Sequence, residues 1–154
     1  MKLILMRHAK SDWSTPSQGD HDRALNAHGQ ADAPKVGKWL RDRGHVPTAI
    51  LCSSAKRTRE TLARMRLRGV EPTYLPALYN APSETILALV QDRTDDCLLV
   101  VGHNPGIGDA AGQAVADPPA HADFARYPTG ACTVIDLSDG LPGRLIDFAV
   151  PGDL

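Results

Sequence analysis

Leu3-Ile4-Leu5-Met6-Arg7-His8 is the stretch on which the fold turns. An unbroken apolar run of this length fits a strand buried on both faces and is too short for a helix. It stops in a guanidinium and an imidazole, followed by Ala9-Lys10-Ser11. In an open α/β sheet, ligands bind beyond the carboxyl ends of the strands. A histidine at such an end, beside a fixed positive charge, is placed to meet an anionic group.

Further strand-like runs lie at residues 49–52, 97–101, 133–137 and 145–150, with a short extended piece at 73–75. Helical patterns fill 26–43, 55–68, 83–91 and 106–116 between them. Leu62, Met65 and Leu67 fall on one side of the second helix among basic residues, the pattern of an amphipathic surface helix. Asn26 is a good N-cap for the first helix, and Pro34 is expected in an early turn. This alternation predicts a three-layer α/β fold, a mostly parallel sheet with helices on both faces. Ser138-Asp139-Gly140-Leu141-Pro142-Gly143 joins the last two runs as a hairpin, giving an antiparallel edge strand. The polar stretch 117–128, with Pro118-Pro119, reads as a surface loop, and residues 1–154 as a single domain.

The chain has 154 residues and a net charge of −1, so no global field points to nucleic acid. Anion binding must then come from local arginines. Cys52, Cys97 and Cys132 each lie in or beside an apolar run, as buried free thiols in a reducing compartment do. No zinc-like cysteine spacing, signal peptide or membrane span is present in the sequence, and a cytoplasmic location is expected.

Polar clusters follow three of the runs. They are Arg7-His8, then Ser53-Ser54-Ala55-Lys56-Arg57-Thr58-Arg59-Glu60-Thr61, then Gly102-His103-Asn104-Pro105-Gly106. If the three strands are parallel neighbours, two histidines and at least two arginines converge on one pocket. Guanidinium forks suit a phosphoryl dianion, binding its oxygens bidentately while staying charged. Gly106-Ile107-Gly108-Asp109-Ala110-Ala111 also fits a loose dinucleotide-binding pattern. The next strand does not end in an acidic residue about twenty positions on, since Asp117-Pro118-Pro119 intervenes, and Arg7, His8 and Arg57 would go unexplained. The glycines read more simply as a helix start.

Met6-Arg7-His8-Ala9, the 53–61 segment and Gly102-His103-Asn104, in that order, resemble the signature segments of the histidine phosphatase superfamily. Asp20-His21-Asp22-Arg23-Ala24-Leu25-Asn26 before Gly29, with the Gly102–106 segment, resembles its small SixA branch, the phosphohistidine phosphatases. The resemblance runs from Lys2 to about Leu137 and implies that His8 accepts the phosphoryl group. Arg7 and Arg57 would clamp its oxygens, and His103 would be the second pocket histidine, most helpful as a cation. Arg23 would add a third guanidinium, Ser14 a hydrogen bond to a phosphoryl oxygen, and Asn104 a loop contact or helix cap. The remaining histidines, His21, His28, His45 and His121, read as surface residues.

Many superfamily members carry a glutamate after the third strand that protonates the leaving oxygen. The corresponding region here is Leu75-Pro76-Ala77-Leu78-Tyr79-Asn80-Ala81-Pro82-Ser83-Glu84. Tyr79 stands where that acid is expected, and Glu84 lies further on, at a helix start. Without a strong acid an alkoxide leaves poorly, whereas a phosphoramidate is less demanding. The expectation is a cofactor-free, metal-independent phosphatase working through a phosphohistidine at His8, acting on phosphohistidine protein. A phosphomonoesterase for a small metabolite, with Glu84 or Tyr79 as acid, and a non-catalytic phosphoprotein-binding module are the alternatives.

Overall fold

The apolar run at the start of the chain becomes β1 (Lys2–Arg7), whose Leu3, Ile4, Leu5 and Met6 are wholly buried. A computed structural model describes residues 1–15 and 17–154. β1 lies inside a sheet with β2 (Ala49–Ser53), β3 (Pro72–Leu75), β4 (Cys97–Gly102), β5 (Cys132–Asp136) and β6 (Arg144–Ala149), ordered β3-β2-β4-β1-β5-β6. The first four strands in that order run parallel. β5 runs antiparallel to β1, and β6, the outermost strand, antiparallel to β5. The reversal expected from the 138–143 turn is therefore present, with β5 as the reversed strand.

Helices cover both faces. α1 (Ala27–Asp42) and α2 (Lys56–Met65) pack on one, where Ile4, Met6, Cys52, Leu99 and Val101 meet Val36, Leu40, Leu62 and Met65. α3 (Ser83–Gln91) and α4 (Gly106–Ala114) pack on the other, where Leu3, Leu5, Leu98 and Val100 meet Ile86, Val90, Ile107 and Ala111. Successive strand residues thus serve opposite layers, as the two-residue period of a strand requires. Cys52, Cys97 and Cys132 are free and buried, and burial pushes the Cys52 thiol up to about 12. No helix of the described residues is long and apolar enough to cross a membrane.

Asn26 caps α1 as its sequence position implies, its side-chain oxygen accepting the Gly29 N–H at 2.9 Å. Pro34 departs from expectation, since it sits in the interior of α1 rather than in an early turn. The lost backbone bond is offset by the packed face of Ala33, Val36, Trp39 and Leu40. α2 stops at Met65, short of the expected residue 68, because Arg66 turns into the left-handed region at φ 55°. Arg41 closes that end by donating to the carbonyls of Met65 and Arg66. His45 is buried rather than superficial. Lys2 Nζ donates to its Nδ1 at 3.0 Å, which leaves Nε2 to donate to Asp147 at 3.2 Å.

Two glycines set how closely the layers approach. A Cβ on Gly37 would lie 2.1 Å from the Met65 carbonyl oxygen, so α1 and α2 touch backbone to backbone. A Cβ on Gly106 would lie 1.8 Å from the Ala81 carbonyl oxygen, which accounts for a glycine at the start of α4 without a dinucleotide. In urea unfolding, Gly37→Ala should destabilise the protein by about 2 kcal/mol or more, as overpacking against backbone does. Gly112→Ala, on the exposed side of α4 with nothing near the new Cβ, should instead stabilise it by about 0.5–1 kcal/mol.

Candidate active site

The sheet order brings the three polar clusters together. β1 and β2 both pair with β4, with Arg7 opposite Gly102 and Cys52 opposite Val101. The strands therefore end in step, and His8, His103 and Ser53 emerge side by side. Beyond them lies a cavity of about 380 Å³ lined by Arg7, His8, Arg23, Arg57, His103 and Asn104. Lys10, Ser11, Trp13, Asp20, Asn80 and Thr129 complete its described wall.

His8 is buried, held through its N–H on the Gly102 carbonyl at 3.1 Å and its carbonyl under the Gly130 N–H at 2.9 Å. Its Nδ1 lies 2.7 Å from the Ala9 carbonyl oxygen. A carbonyl only accepts, so Nδ1 carries the proton and the neutral ring keeps its lone pair on Nε2. Burial pushes His8 down to about 3, with His103, Arg57 and Arg7 adding to the effect and the Ala9 bond opposing it. The ring is thus neutral at pH 7, as a nucleophile needs.

His103 lies 5.3 Å from His8 between ring centroids, its Nε2 2.8 Å from Ser53 Oγ. Burial, then Arg57, push it down to about 3 as well, which favours the neutral ring. Guanidiniums add to the effect of burial. Arg57, in the first turn of α2, is buried and donates Nη1 to the Asp20 carbonyl at 2.7 Å and Nη2 to Asp20 Oδ2 at 3.1 Å. Arg23 donates Nη2 to Asp20 Oδ1 at 3.0 Å and Nη1 to Ser11 Oγ, its guanidinium lying 3.6 Å over the Trp13 ring. Arg7 donates Nη1 to the Tyr127 carbonyl at 3.2 Å.

Four buried side-chain polar atoms among the described residues have no hydrogen-bond partner: Arg7 Nε, Arg23 Nε, Arg57 Nε and His103 Nδ1. All four belong to residues lining this one cavity. Unpaired buried polar groups are costly, and the three guanidinium Nε–H donors among them mark a site built to receive acceptors.

The secondary sequence candidates divide. Arg23 and Asn104 reach the cavity. Asn104 both caps α4, accepting the Gly108 N–H at 3.2 Å, and donates Nδ2 to the Tyr127 carbonyl at 2.9 Å. Ser14 stays outside, exposed, with its N–H turned to Asp12 Oδ1 at 2.8 Å, and the serine in the wall is Ser11. Glu84 is exposed in the first turn of α3 and does not line the cavity. Tyr79 stacks edge-on against His103 with centroids 5.5 Å apart. Its hydroxyl donates to Asp20, which holds the phenol above its usual range and leaves it a poor acid.

Sequence reasoning missed Asp20, Ser11, Asn80 and the two threonines of the 53–61 segment. Thr58 Oγ1 donates to the Ser53 carbonyl at 2.9 Å, and Thr61 Oγ1 accepts the Ala9 N–H at 3.0 Å while donating to the Arg57 carbonyl at 2.7 Å. Their place in one helical turn with Arg57 was the available signal.

Residues 3–81 match the sequence profile of the histidine phosphatase superfamily (branch 1). The chain is 34% identical to a protein assigned as a phosphohistidine phosphatase SixA from Agrobacterium tumefaciens, with a TM-score of 0.88 over 97% of each chain. An uncharacterized protein of Mycobacterium tuberculosis is 33% identical over 159 residues, 95% of this chain and 99% of the relative. An uncharacterized chloroplastic protein of Arabidopsis thaliana is 35% identical over 124 residues, 71% of this chain, which spans 57% of that relative's length. The chain therefore belongs to the histidine phosphatase superfamily, and within it is SixA-like.

The depressed histidines make stability depend on pH with a definite sign. Unfolded imidazoles bind protons from about pH 6.5 downward, whereas His8 and His103 in the fold resist them until about 3. Stability from this source is fully present above pH 6.5 and is lost as pH falls toward 3. Urea unfolding at pH 5 should show a loss on the order of 1–2 kcal/mol per histidine relative to pH 7. The double variant His8→Asn/His103→Asn should flatten that slope.

Proposed function

We propose that the protein is a phosphatase in which His8 Nε2 takes the phosphoryl group as a covalent phosphohistidine, which water then hydrolyses. The observation that carries this reading is the set of free donors around one cavity, with a neutral imidazole beside them whose lone pair is fixed on Nε2. Three guanidiniums offering unpaired Nε–H groups suit the equatorial oxygens of a phosphoryl group in flight, where positioning and electrostatics supply most of the acceleration. His103 Nδ1 adds a fourth polar atom. As the dianion enters, its charge raises the proton affinity of His103, so this ring becomes cationic with the ligand rather than before it.

The steps balance simply. The Nε2 lone pair forms the P–N bond as the bond to the leaving group breaks, its electron pair departing with that group. Water then attacks phosphorus, the P–Nε2 pair returns to His8, and one water proton passes to solvent. The guanidiniums carry the charge stabilisation, and no step calls for a metal. A purely phosphate-binding module would need the arginines but not a desolvated imidazole poised in this tautomer.

The one carboxylic acid of the 75–84 segment, Glu84, is exposed and does not line the cavity, which favours a labile donor over an alkyl ester. The likeness to the Agrobacterium SixA supports the same class, a phosphohistidine on a protein. Tyr79, tied to Asp20, and Glu84, outside the cavity, supply little to the alternative of a metabolite phosphomonoesterase.

Rapid quenching with a labelled phosphoramidate should trap an acid-labile phosphoryl group on the wild type and none on His8→Ala. Arg57→Ala should lower kcat/KM by about 10²–10³, the usual cost of one such donor. Chelating agents should leave turnover unchanged. Turnover without a label on His8 would overturn the covalent route, and faster turnover of sugar phosphates than of phosphohistidine protein would overturn the substrate class.

A further inference from the structure

The cavity wall contains a single carboxylate among its described residues, Asp20, and the chemistry above gives it no task. It stands on a 3-10 turn, Asp20–Asp22, ahead of α1. Its two oxygens are shared among Arg23 Nη2 at 3.0 Å, Arg57 Nη2 at 3.1 Å and the Tyr79 hydroxyl. These contacts take the outer ends of the two guanidiniums and leave the buried Nε–H groups of both unpaired. Asp20 is therefore not a substitute ligand that fills the forks. It is a fixed negative charge at the rim, with 44% of its side chain still open to solvent.

Its position relative to the reaction follows from Tyr79. That residue belongs to the 75–84 segment, packs against His103 and donates to Asp20. Where an acid from that segment was expected to face the leaving group, the structure sets a phenol bonded to a carboxylate from another loop. The three partners keep this carboxylate ionised, its proton affinity lowered chiefly by the Tyr79 hydrogen bond. It cannot supply a proton at neutral pH. It can sort leaving groups by charge.

We infer that Asp20 is a specificity-determining residue that admits phosphoryl donors with neutral or cationic leaving groups and refuses those whose leaving group carries a carboxylate or second phosphate. The inference rests on the phosphoryl-transfer reading. Arg7, Arg23, Arg57 and Lys10 supply the positive charges of the described wall and Asp20 its one negative charge, so a phosphoryl dianion seats among the guanidiniums while Asp20 stays at the rim. A further anion on the leaving group then meets the Asp20 carboxylate beside Tyr79, whose segment is the one expected to face that group. A phosphorylated imidazole protonated on its other ring nitrogen meets the opposite field. When its P–N bond breaks, the electron pair goes to the imidazole nitrogen and a neutral imidazole departs, with no proton transferred in that step. A carboxylate favouring the protonated donor thus does for a phosphoramidate what an acid does for an ester.

Binding of three phosphonates tests this without depending on turnover: phenylphosphonate, 4-carboxyphenylphosphonate and 4-(trimethylammonio)phenylphosphonate. By calorimetry at low salt, the wild type should prefer the cationic to the anionic compound, and Asp20→Asn should narrow that preference by about tenfold, the scale of one partly screened charge. Tyr79→Phe, which keeps the charge and removes only the hydroxyl, should retain the preference. If Asp20→Asn weakens all three compounds equally, Asp20 merely positions the arginines and the inference fails. Should that variant not fold, equal affinities of the wild type for the three compounds would overturn it just as directly. A charge preference in binding together with no label on His8 would leave this inference standing and remove the covalent mechanism instead.

Discussion

Three guanidiniums crowd one cavity, and the cost of holding them there shapes the rest of the site. Arg7 has its proton affinity lowered by burial and by Arg57, and both histidines are held neutral by burial and by the same cations. Like charges this close separate unless the chain fixes them. Each arginine is accordingly tied by an outer nitrogen to something rigid: Arg7 to the Tyr127 carbonyl, Arg23 to Ser11 and Asp20, Arg57 to Asp20 twice. What remains free is the inner Nε–H of each. The protein thus keeps electrostatic potential in reserve for an anion, and the fixed geometry means little reorganisation is needed when one arrives.

That fixing depends on ordinary parts of the fold. The order β2-β4-β1 aligns three strand ends, and the register pairs set Arg7 level with Gly102. Thr61 then ties the chain after β1 to the first turn of α2, linking the backbones that carry His8 and Arg57. On the other side Tyr127, at φ 50°, turns its carbonyl to take both Arg7 and Asn104, while its hydroxyl reaches the Leu5 carbonyl at 2.6 Å inside the sheet. Asn104 carries the link onward to α4. The approach of α4 to the 81–82 segment requires the bare Cα of Gly106. Glycines that fit a nucleotide pattern are explained here by contact distance.

The layers were legible because they follow from unbroken apolar runs and helical periods, and each expected strand and helix is present, α3 with its expected bounds and the others with shifted ends. The shifts have local causes: Arg66 in the left-handed region ends α2, and a well-packed face carries α1 through Pro34. His8, Arg7, Arg57 and His103 were legible because strand ends in a parallel sheet are placed by topology alone. Asp20, Ser11 and Asn80 were not, since loops put them in the wall and no period predicts how a loop folds back. Ser14 and Ser11 illustrate the point, as two serines in one polar stretch look equivalent until the chain turns. His45 was misread for a related reason. Its place between Gly44 and Pro47 reads as a loop and hides a buried position satisfied by Lys2 and Asp147, which are distant in the chain.

The neutral state of His103 bears on how the site tells an empty cavity from a filled one. Three nearby guanidiniums lower its proton affinity, and Asp20 alone among the charges acting on it raises it. On the proposed reading a dianion among those guanidiniums raises that affinity, so proton uptake and anion binding would be linked, each strengthening the other. A permanent cation in place of His103 would hold product phosphate as firmly as substrate. An imidazole that gains its proton with the phosphoryl group and gives it up afterwards binds the charge only while it is present. Burial, with the guanidiniums beside them, favours neutral rings for both histidines, and on the proposed reading one then serves as the nucleophile and the other as a charge that comes with the phosphoryl group.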